Sequence, residues 1–228
     1  MIKTVLLDID DTILDFHKAQ QTALPATFVE LGIEPTPEVL RRYTEINREG
    51  WQMLERGEIT RDEVVLRRFR ILFAELGRPE IDPKRTWAIY EDKLSRVHVF
   101  IDGAPELLDA LYGKYDLYVV SNGTASVQDR RIAESGIYKY FKRMFISERV
   151  GHDKPSREFF DVCFADIGEI DKSTTIIVGD SLTSDILGGI NAGIRTCHFN
   201  PKGAHSDKIK PDYEVKTLAE IPSLLASI

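Results

Sequence analysis

The chain has 228 residues, of which 43% are apolar, and its 30 basic and 37 acidic residues give a formal net charge of −7. This composition can fill a sizeable core and excludes a disordered chain, while the negative charge argues against a nucleic-acid binder held by phosphate neutralisation. The two cysteines, Cys163 and Cys197, cannot build a disulfide framework or a zinc site, and we expect both to be buried. No run approaches roughly 18 apolar residues, and Asp8 interrupts the first apolar run, so we expect a cytoplasmic protein without a membrane span or signal peptide.

The first predicted strand, Thr4–Leu7, is followed by a long segment in which every pattern is helical. A capping box at Thr60–Glu63 starts one of its helices, and Pro37 and Pro83 stand at the first position of two others. The predicted helices cover about residues 17–31, 36–57, 60–77 and 82–97. Four helices joined by short connections predict a small bundle, and we expect its arginines at positions 67, 68 and 70 to lie on a solvated face.

The rest of the chain alternates short apolar, β-branched runs with helical patterns. Its predicted strands are Leu117–Val120, Met144–Ile146, Thr174–Val178 and Arg195–Phe199, and its predicted helices are Pro105–Tyr112, Ala125–Glu134, Ser156–Ile167 and Ser184–Asn191. This alternation predicts an α/β fold with a Rossmann-like parallel sheet covered on both faces. The helical segment then interrupts the α/β domain. We predict an α/β domain of residues 1–15 and 99–228 and a helical domain of residues 16–98.

Polar residues suited to bind phosphate or a metal ion follow four of the predicted strands. They are Asp8 and Asp10 after the first, Ser121, Asn122 and Gly123 after the second, Lys154 beyond the third, and Asp180 and Asp185 after the fourth. Taken singly, each is explained as well by a turn, a helix cap or a solvated charge. Because ligands of open α/β sheets bind beyond the carboxyl ends of the strands, the joint pattern favours one site.

Four carboxylates at one edge of a sheet repel one another, and burying them without partners costs free energy. A divalent cation resolves this conflict, and oxygen ligands of this type suit Mg²⁺. A phosphate is then the expected ligand, and its remaining oxygens can be bound by Ser121, Asn122, nearby backbone N–H groups and Lys154. Of Asp8 and Asp10, a carboxylate on the metal can attack phosphorus, while the other exchanges protons with the leaving group and water.

These residues resemble the motifs of the haloacid dehalogenase superfamily, and in particular its phosphatases. The segment Asp8–Thr12 matches the D-x-D-x-T loop, Ser121 the second motif, Lys154 the third, and Gly179-Asp180 with Ser184-Asp185 the fourth. The helical segment resembles the cap that follows the first motif in that family. The resemblance also separates this chain from the true dehalogenases, which lack the aspartate found here at position 10.

The resemblance implies a role for each matching residue. Asp8 would be the nucleophile and a magnesium ligand, and Asp10 would be the acid/base and a ligand through its backbone carbonyl. Asp180 would be the third ligand, with Asp185 bonded to metal-bound water or to Lys154. The phosphoryl group would be bound by Ser121, Asn122, Gly123 and Lys154.

Within the superfamily, residues 120–123, 146–151, 154–155 and 185–193 look like the bacterial pyrimidine 5′-nucleotidase branch. The prediction is therefore a magnesium-dependent phosphatase for a small phosphorylated metabolite, best a nucleoside 5′-monophosphate, with no nucleic-acid or membrane partner. A phosphoglycolate or sugar-phosphate phosphatase or mutase is the alternative among enzymes, and a non-catalytic phosphate- or metal-binding module is the alternative outside them. The oligomeric state stays open.

Overall fold

A computed structural model describes residues 1–168 and 170–228 of the chain. The chain divides into two compact units, one formed by Met1–Phe16 with His98–Ile228 and the other by His17–Val97. The first is an α/β unit and the second is helical. Over the ranges described, no helix has both the length and the apolar character needed to cross a membrane.

The secondary structure follows the predicted order, with small differences in the bounds. The strands are β1 (Thr4–Leu7), β2 (Asp116–Ser121), β3 (Arg143–Ile146), β4 (Thr175–Gly179), β5 (Arg195–Phe199) and β6 (Tyr213–Val215). The helices are α1 (Phe16–Glu30), α2 (Pro37–Glu55), α3 (Arg61–Glu75), α4 (Pro83–Ser95), α5 (Ala104–Leu111), α6 (Ala125–Glu134), α7 (Ser147–Val150), α8 (Arg157–Ile167), α9 (Leu187–Ala192) and α10 (Ile221–Ser227). A π-helical turn, Leu182–Ile186, precedes α9 where the sequence predicted one continuous helix. Strand β6 and helices α7 and α10 were not predicted.

The strands form one parallel sheet in the order β3-β2-β1-β4-β5-β6, which confirms the predicted fold class. Alternate residues of each strand enter opposite layers of the core because side chains point to the two faces in turn. Val5 and Leu7 lie in one layer, and Leu6 lies in the other with Phe159 and Phe160 of α8. Both cysteines are buried as predicted, and burial raises the pKa of each thiol to about 12.

The topology places the carboxyl ends of β1 and β4 side by side at the middle of the sheet. From β1 the chain adds β2 and then β3 on one side, and it returns to add β4 on the other side. This reversal of strand order is where open α/β sheets bind their ligands. The backbone N–H of Asp8 donates to the carbonyl of Val178 at 3.0 Å, so the loops after β1 and β4 start from adjacent positions.

The helical unit is built around aromatic rings rather than a sheet. Tyr43, Phe69 and Tyr90 pack with centroid separations between 5.4 and 6.1 Å. The predicted capping box is present, since Thr60 accepts from the backbone of Glu63 and the Glu63 carboxylate accepts in return. The prediction of a solvated arginine face is wrong for Arg68, which is 3% exposed.

Arg68 is buried because it lies beside Val64, Val65, Phe69 and Leu72 on the apolar face of α3. Its guanidinium lies over the ring of Trp87 at 4.8 Å and donates to the side-chain oxygen of Asn47 at 2.5 Å. Rings and a neutral amide therefore surround this charge.

Candidate active site

The loops after β1 and β4 bring three carboxylates together. Asp8 follows β1, Asp180 follows β4, and Asp185 lies in the π-helical turn. One oxygen from each carboxylate can be chosen so that all three lie within 4.8 Å of one another. The side chains of Asp8 and Asp185 are almost fully buried, whereas Asp180 is partly exposed. Three of the four carboxylates predicted to meet at this edge of the sheet therefore do so.

Lys154 lies inside the acidic cluster. Its side chain is 1% exposed, and Nζ donates to Asp8 Oδ1 at 2.8 Å, to Asp185 Oδ1 at 2.6 Å and to the carbonyl of Val120 at 2.7 Å. These bonds use the three protons of the ammonium group. Lys154 thus neutralises part of the negative charge for which the sequence analysis invoked a divalent cation, and it is one of the two partners that the resemblance implied for Asp185.

Because these charged groups are buried together, their pKa values are shifted. Burial and the Asp185 carboxylate raise the pKa of Asp8 from 3.8 to about 8. Burial, and then the carboxylates of Asp8 and Asp185, hold the pKa of Asp180 well above its usual range. Burial on its own lowers the pKa of Lys154, but the carboxylates of Asp185 and Asp8 outweigh it and raise that pKa.

Asp185 is fixed from two sides and leaves no room for a side chain at position 179. Its Oδ1 accepts from Lys154, and its Oδ2 accepts from the backbone N–H of Ser181 at 3.0 Å. A Cβ atom on Gly179 would lie 2.3 Å from the carboxyl carbon of Asp185. Glycine at the end of β4 therefore allows the close approach that seats this carboxylate.

Asn122 holds the backbone of Lys154. Its Nδ2 donates to the carbonyl of Lys154 at 2.8 Å, and its Oδ1 accepts from the N–H of the same residue at 2.8 Å. This pair of bonds fixes the loop that carries Lys154. Phosphoryl binding by Asn122 stays a prediction, and the contacts indicate that its amide positions Lys154.

Ser121, at the end of β2, is 1% exposed, and its hydroxyl oxygen accepts from the backbone N–H of Gly123 at 3.0 Å and from Gln128 Nε2 at 2.9 Å. The phosphoryl-binding roles of Ser121 and Gly123 stay predictions. Gln128, on α6, was not singled out by the sequence analysis.

Asp10 lies on the same unit but its carboxylate is bonded to α6 and is outside the three-carboxylate cluster. Arg131 Nη1 bonds to Asp10 Oδ1, and Gln128 Nε2 donates to Asp10 Oδ2 at 2.8 Å. Arg131 is fully buried, while the side chain of Asp10 is 28% exposed. Metal ligation by the backbone carbonyl of Asp10 stays a prediction.

His198 is a further residue that the sequence analysis left aside. Its Nε2 lies 3.0 Å from the backbone carbonyl of Asp180, and its Nδ1 lies 3.5 Å from Glu214. The imidazole is 1% exposed and helps to fix the loop after β4. His198 lies on β5, where it is paired with Gly179 of β4, and this pairing brings its side chain to the loop that carries Asp180.

The charges suit a bound dication. Asp8, Asp10, Asp180 and Asp185 face two buried basic side chains, Lys154 and Arg131, so ionisation of all four acids leaves two negative charges unmatched. Carboxylate oxygens with open access on one side are typical ligands of Mg²⁺, which keeps several of its waters. Asp8 and Asp180 would hold the ion.

Comparison with known proteins gives the family. Residues 5–199 match the haloacid dehalogenase-like hydrolases. YfnB of Bacillus subtilis, which is named as a HAD-hydrolase, is 40% identical over 98% of this chain and 95% of that protein. Its crystal structure bound to magnesium has a TM-score of 0.93 and covers 98% of both chains.

Two further relatives have names that state a substrate. The pyrimidine 5′-nucleotidases PynA of Streptococcus pneumoniae and YjjG of Escherichia coli are 36% and 31% identical to the chain. The alignments cover 96% and 97% of this chain, and 93% and 96% of those proteins. The chain therefore belongs to the haloacid dehalogenase-like hydrolase family, as its four motifs predicted.

Proposed function

We propose that this hydrolase is a magnesium-dependent phosphatase that cleaves small phosphate monoesters through a phosphorylated Asp8. The supporting observation is the cluster of Asp8, Asp180 and Asp185 around the buried ammonium of Lys154. Asp8 is the member that also lies on the loop carrying a second carboxylate, Asp10. A nucleophile and a proton carrier thus come from the same loop.

In the proposed reaction, a carboxylate oxygen of Asp8 forms a bond to phosphorus while the bond from phosphorus to the ester oxygen breaks. Asp10 gives a proton to the departing oxygen and becomes ionised. In the second step, water attacks the phosphorus of the phosphorylated Asp8 and loses a proton to Asp10, while the bond from phosphorus to the Asp8 carboxylate oxygen breaks. Inorganic phosphate leaves, and both side chains return to their starting states.

Other side chains position the reacting groups. Lys154 bonds to Asp8 Oδ1 and Thr12 donates to Asp8 Oδ2 at 3.3 Å, so the orientation of the nucleophile is set by two partners. Ser121 would donate to a phosphoryl oxygen, and Lys154, whose three protons are already bonded, would act on the phosphoryl group through its charge. Asp8 and Asp180 would hold Mg²⁺, with the backbone of Asp10 as the third protein ligand. The bound ion would supply charge neutralisation between the phosphate and the Asp8 carboxylate.

For the substrate, we propose a pyrimidine nucleoside 5′-monophosphate. The support is the identity of 36% and 31% to two proteins with that activity in their names, over nearly the full length of each. The helical unit, His17–Val97, is inserted directly after the loop that carries Asp8 and Asp10. Its role as the cap that selects the substrate stays a prediction.

The test is a screen of phosphate monoesters with the purified chain and Mg²⁺. We expect release of inorganic phosphate, with pyrimidine nucleoside 5′-monophosphates cleaved faster than sugar phosphates or phosphoglycolate. Asp8→Asn should lower turnover at least about 10⁴-fold, the scale of removing a catalytic nucleophile. Normal turnover by Asp8→Asn would reject the mechanism, and a preference for sugar phosphates would reject the nucleotide assignment alone. Magnesium binding with no hydrolysis of any monoester would favour a non-catalytic module.

A further inference from the structure

Helix α6 contacts the second carboxylate of the candidate site through two buried side chains. Gln128 and Arg131 are spaced three residues apart, so they lie on one face of the helix. Both are fully buried, and the same face carries Ala125 and Ile132. Polar side chains in such positions are costly unless they are bonded, and both are bonded to Asp10.

The contacts hold both oxygens of the Asp10 carboxylate. Arg131 bonds to Oδ1, Gln128 donates to Oδ2 at 2.8 Å, and the amide oxygen of Gln128 accepts from Arg131 at 3.0 Å. The three side chains therefore form a closed triangle of bonds that sets the plane and direction of the carboxylate. A carboxylate has about four lone-pair positions, so two bonds from α6 leave others for a proton.

The backbone of the neighbouring loop is shaped around the same side chain. A Cβ atom on Gly123 would lie 2.6 Å from Gln128 Nε2 and 2.8 Å from its Cγ. Only glycine at this position lets the Gln128 amide reach Asp10 and Ser121 together. Two segments of the chain, α6 and the loop after β2, thus determine the position of the Gln128 side chain.

We propose that Gln128 and Arg131 are positioning residues that orient Asp10 for proton transfer to the leaving group. This proposal rests on the proposed phosphatase function, in which Asp10 gives its proton to the departing ester oxygen. Gln128 adds a link to substrate binding, because its Nε2 also donates to Ser121 Oγ at 2.9 Å. The two residues therefore fix the proton carrier relative to the predicted phosphoryl site.

The test compares substrates whose leaving groups differ in their need for a proton. An alkoxide, such as the one released from a nucleoside 5′-monophosphate, requires protonation, whereas p-nitrophenolate departs without it. The parameter is kcat/KM, since it covers the steps up to loss of the leaving group and excludes the later attack by water. We expect Arg131→Gln to lower kcat/KM about 10- to 100-fold for the nucleotide and less than about threefold for p-nitrophenyl phosphate.

Two further variants make the test specific. Gln128→Ala leaves no unpaired charge in the core and should show the same selective loss. Arg130→Gln is the matched control, since Arg130 lies on the same helix but forms a partly exposed ion pair with Glu134. It should leave both substrates unchanged.

The outcomes separate this proposal from the function on which it rests. If the wild-type chain cleaves neither substrate, the proposed function fails. If the wild type is active and Arg131→Gln and Gln128→Ala lose activity by equal factors on both substrates, the two residues only support the structure and the positioning role is wrong. A selective loss on the nucleotide, with Arg130→Gln unaffected, supports it. A crystal structure of Gln128→Ala should also show Asp10 in a changed rotamer.

Discussion

Two buried basic side chains, one in each unit, show different solutions to the same physical problem. In the helical unit, Arg68 lies among aromatic rings and bonds to the neutral amide of Asn47. In the α/β unit, Lys154 bonds to two carboxylates and lies in a cluster that contains a third, Asp180. The first cation is thus stabilised by rings and an amide, and the second lies where negative charge exceeds positive charge. A surplus of buried charge costs free energy and is expected where a ligand completes the site.

The largest effect on stability should come from removing Lys154. Lys154→Met leaves three acids without their shared cation, and breaking a buried ion pair costs about 3–5 kcal/mol. Arg68→Met should cost less, about 1–2 kcal/mol, because the rings still pack on the new side chain and the partners that lose a bond, Asn47 and the carbonyl of Val65, are uncharged. Urea unfolding of both variants measures the difference.

Magnesium sharpens this comparison. Added Mg²⁺ should narrow the difference in stability between Lys154→Met and the wild type. It should leave the difference between Arg68→Met and the wild type unchanged, because an ion bound by Asp8 and Asp180 stabilises those two proteins alike. Equal losses in the two variants, with neither difference altered by the ion, would show that the two sites are energetically alike.

The stability of the folded chain should also depend on pH. Because the folded pKa of Asp8 is raised from 3.8 to about 8, the folded state holds a proton that the unfolded chain releases across this range. Without a divalent cation, the stability that this proton contributes is present at the acid end and is lost as the pH rises to about 8. The slope is measured by unfolding in urea and a chelator at a series of pH values. Asp8→Asn should have a shallower slope, and an unchanged slope would contradict the shifted pKa.

Much of the fold could be predicted because its signals are local. Strands β1 and β5 and helix α6 have the predicted bounds, since apolar runs and helical spacing identify buried elements directly. Strand β6, Tyr213–Val215, was missed because three residues with a central glutamate carry no strand signal. Arg68 was misplaced because charge was weighed above its position on the apolar face of α3.

The sequence predicted the part of the site that the topology of the sheet alone determines. Asp8, Asp180 and Asp185 meet because the carboxyl ends of parallel strands share one edge. Gln128 and Arg131 were missed because they reach the site from the side of a helix, whereas the prediction used only residues at the ends of strands. Their signal was the presence of two polar residues in the buried positions of α6. The bonds of Asn122 to the backbone of Lys154 had no sequence signal, because they join residues 32 positions apart.

We infer that the surplus negative charge in the loops after β1 and β4 forms the binding site of a dication. Calorimetric titration with Mg²⁺ tests it most directly, with Asp180→Asn as the variant and Asp161→Asn, an exposed acid on α8, as the control. We expect one ion per chain in the wild type and the control, and binding at least about tenfold weaker in Asp180→Asn. The same stoichiometry and affinity in Asp180→Asn would contradict the account.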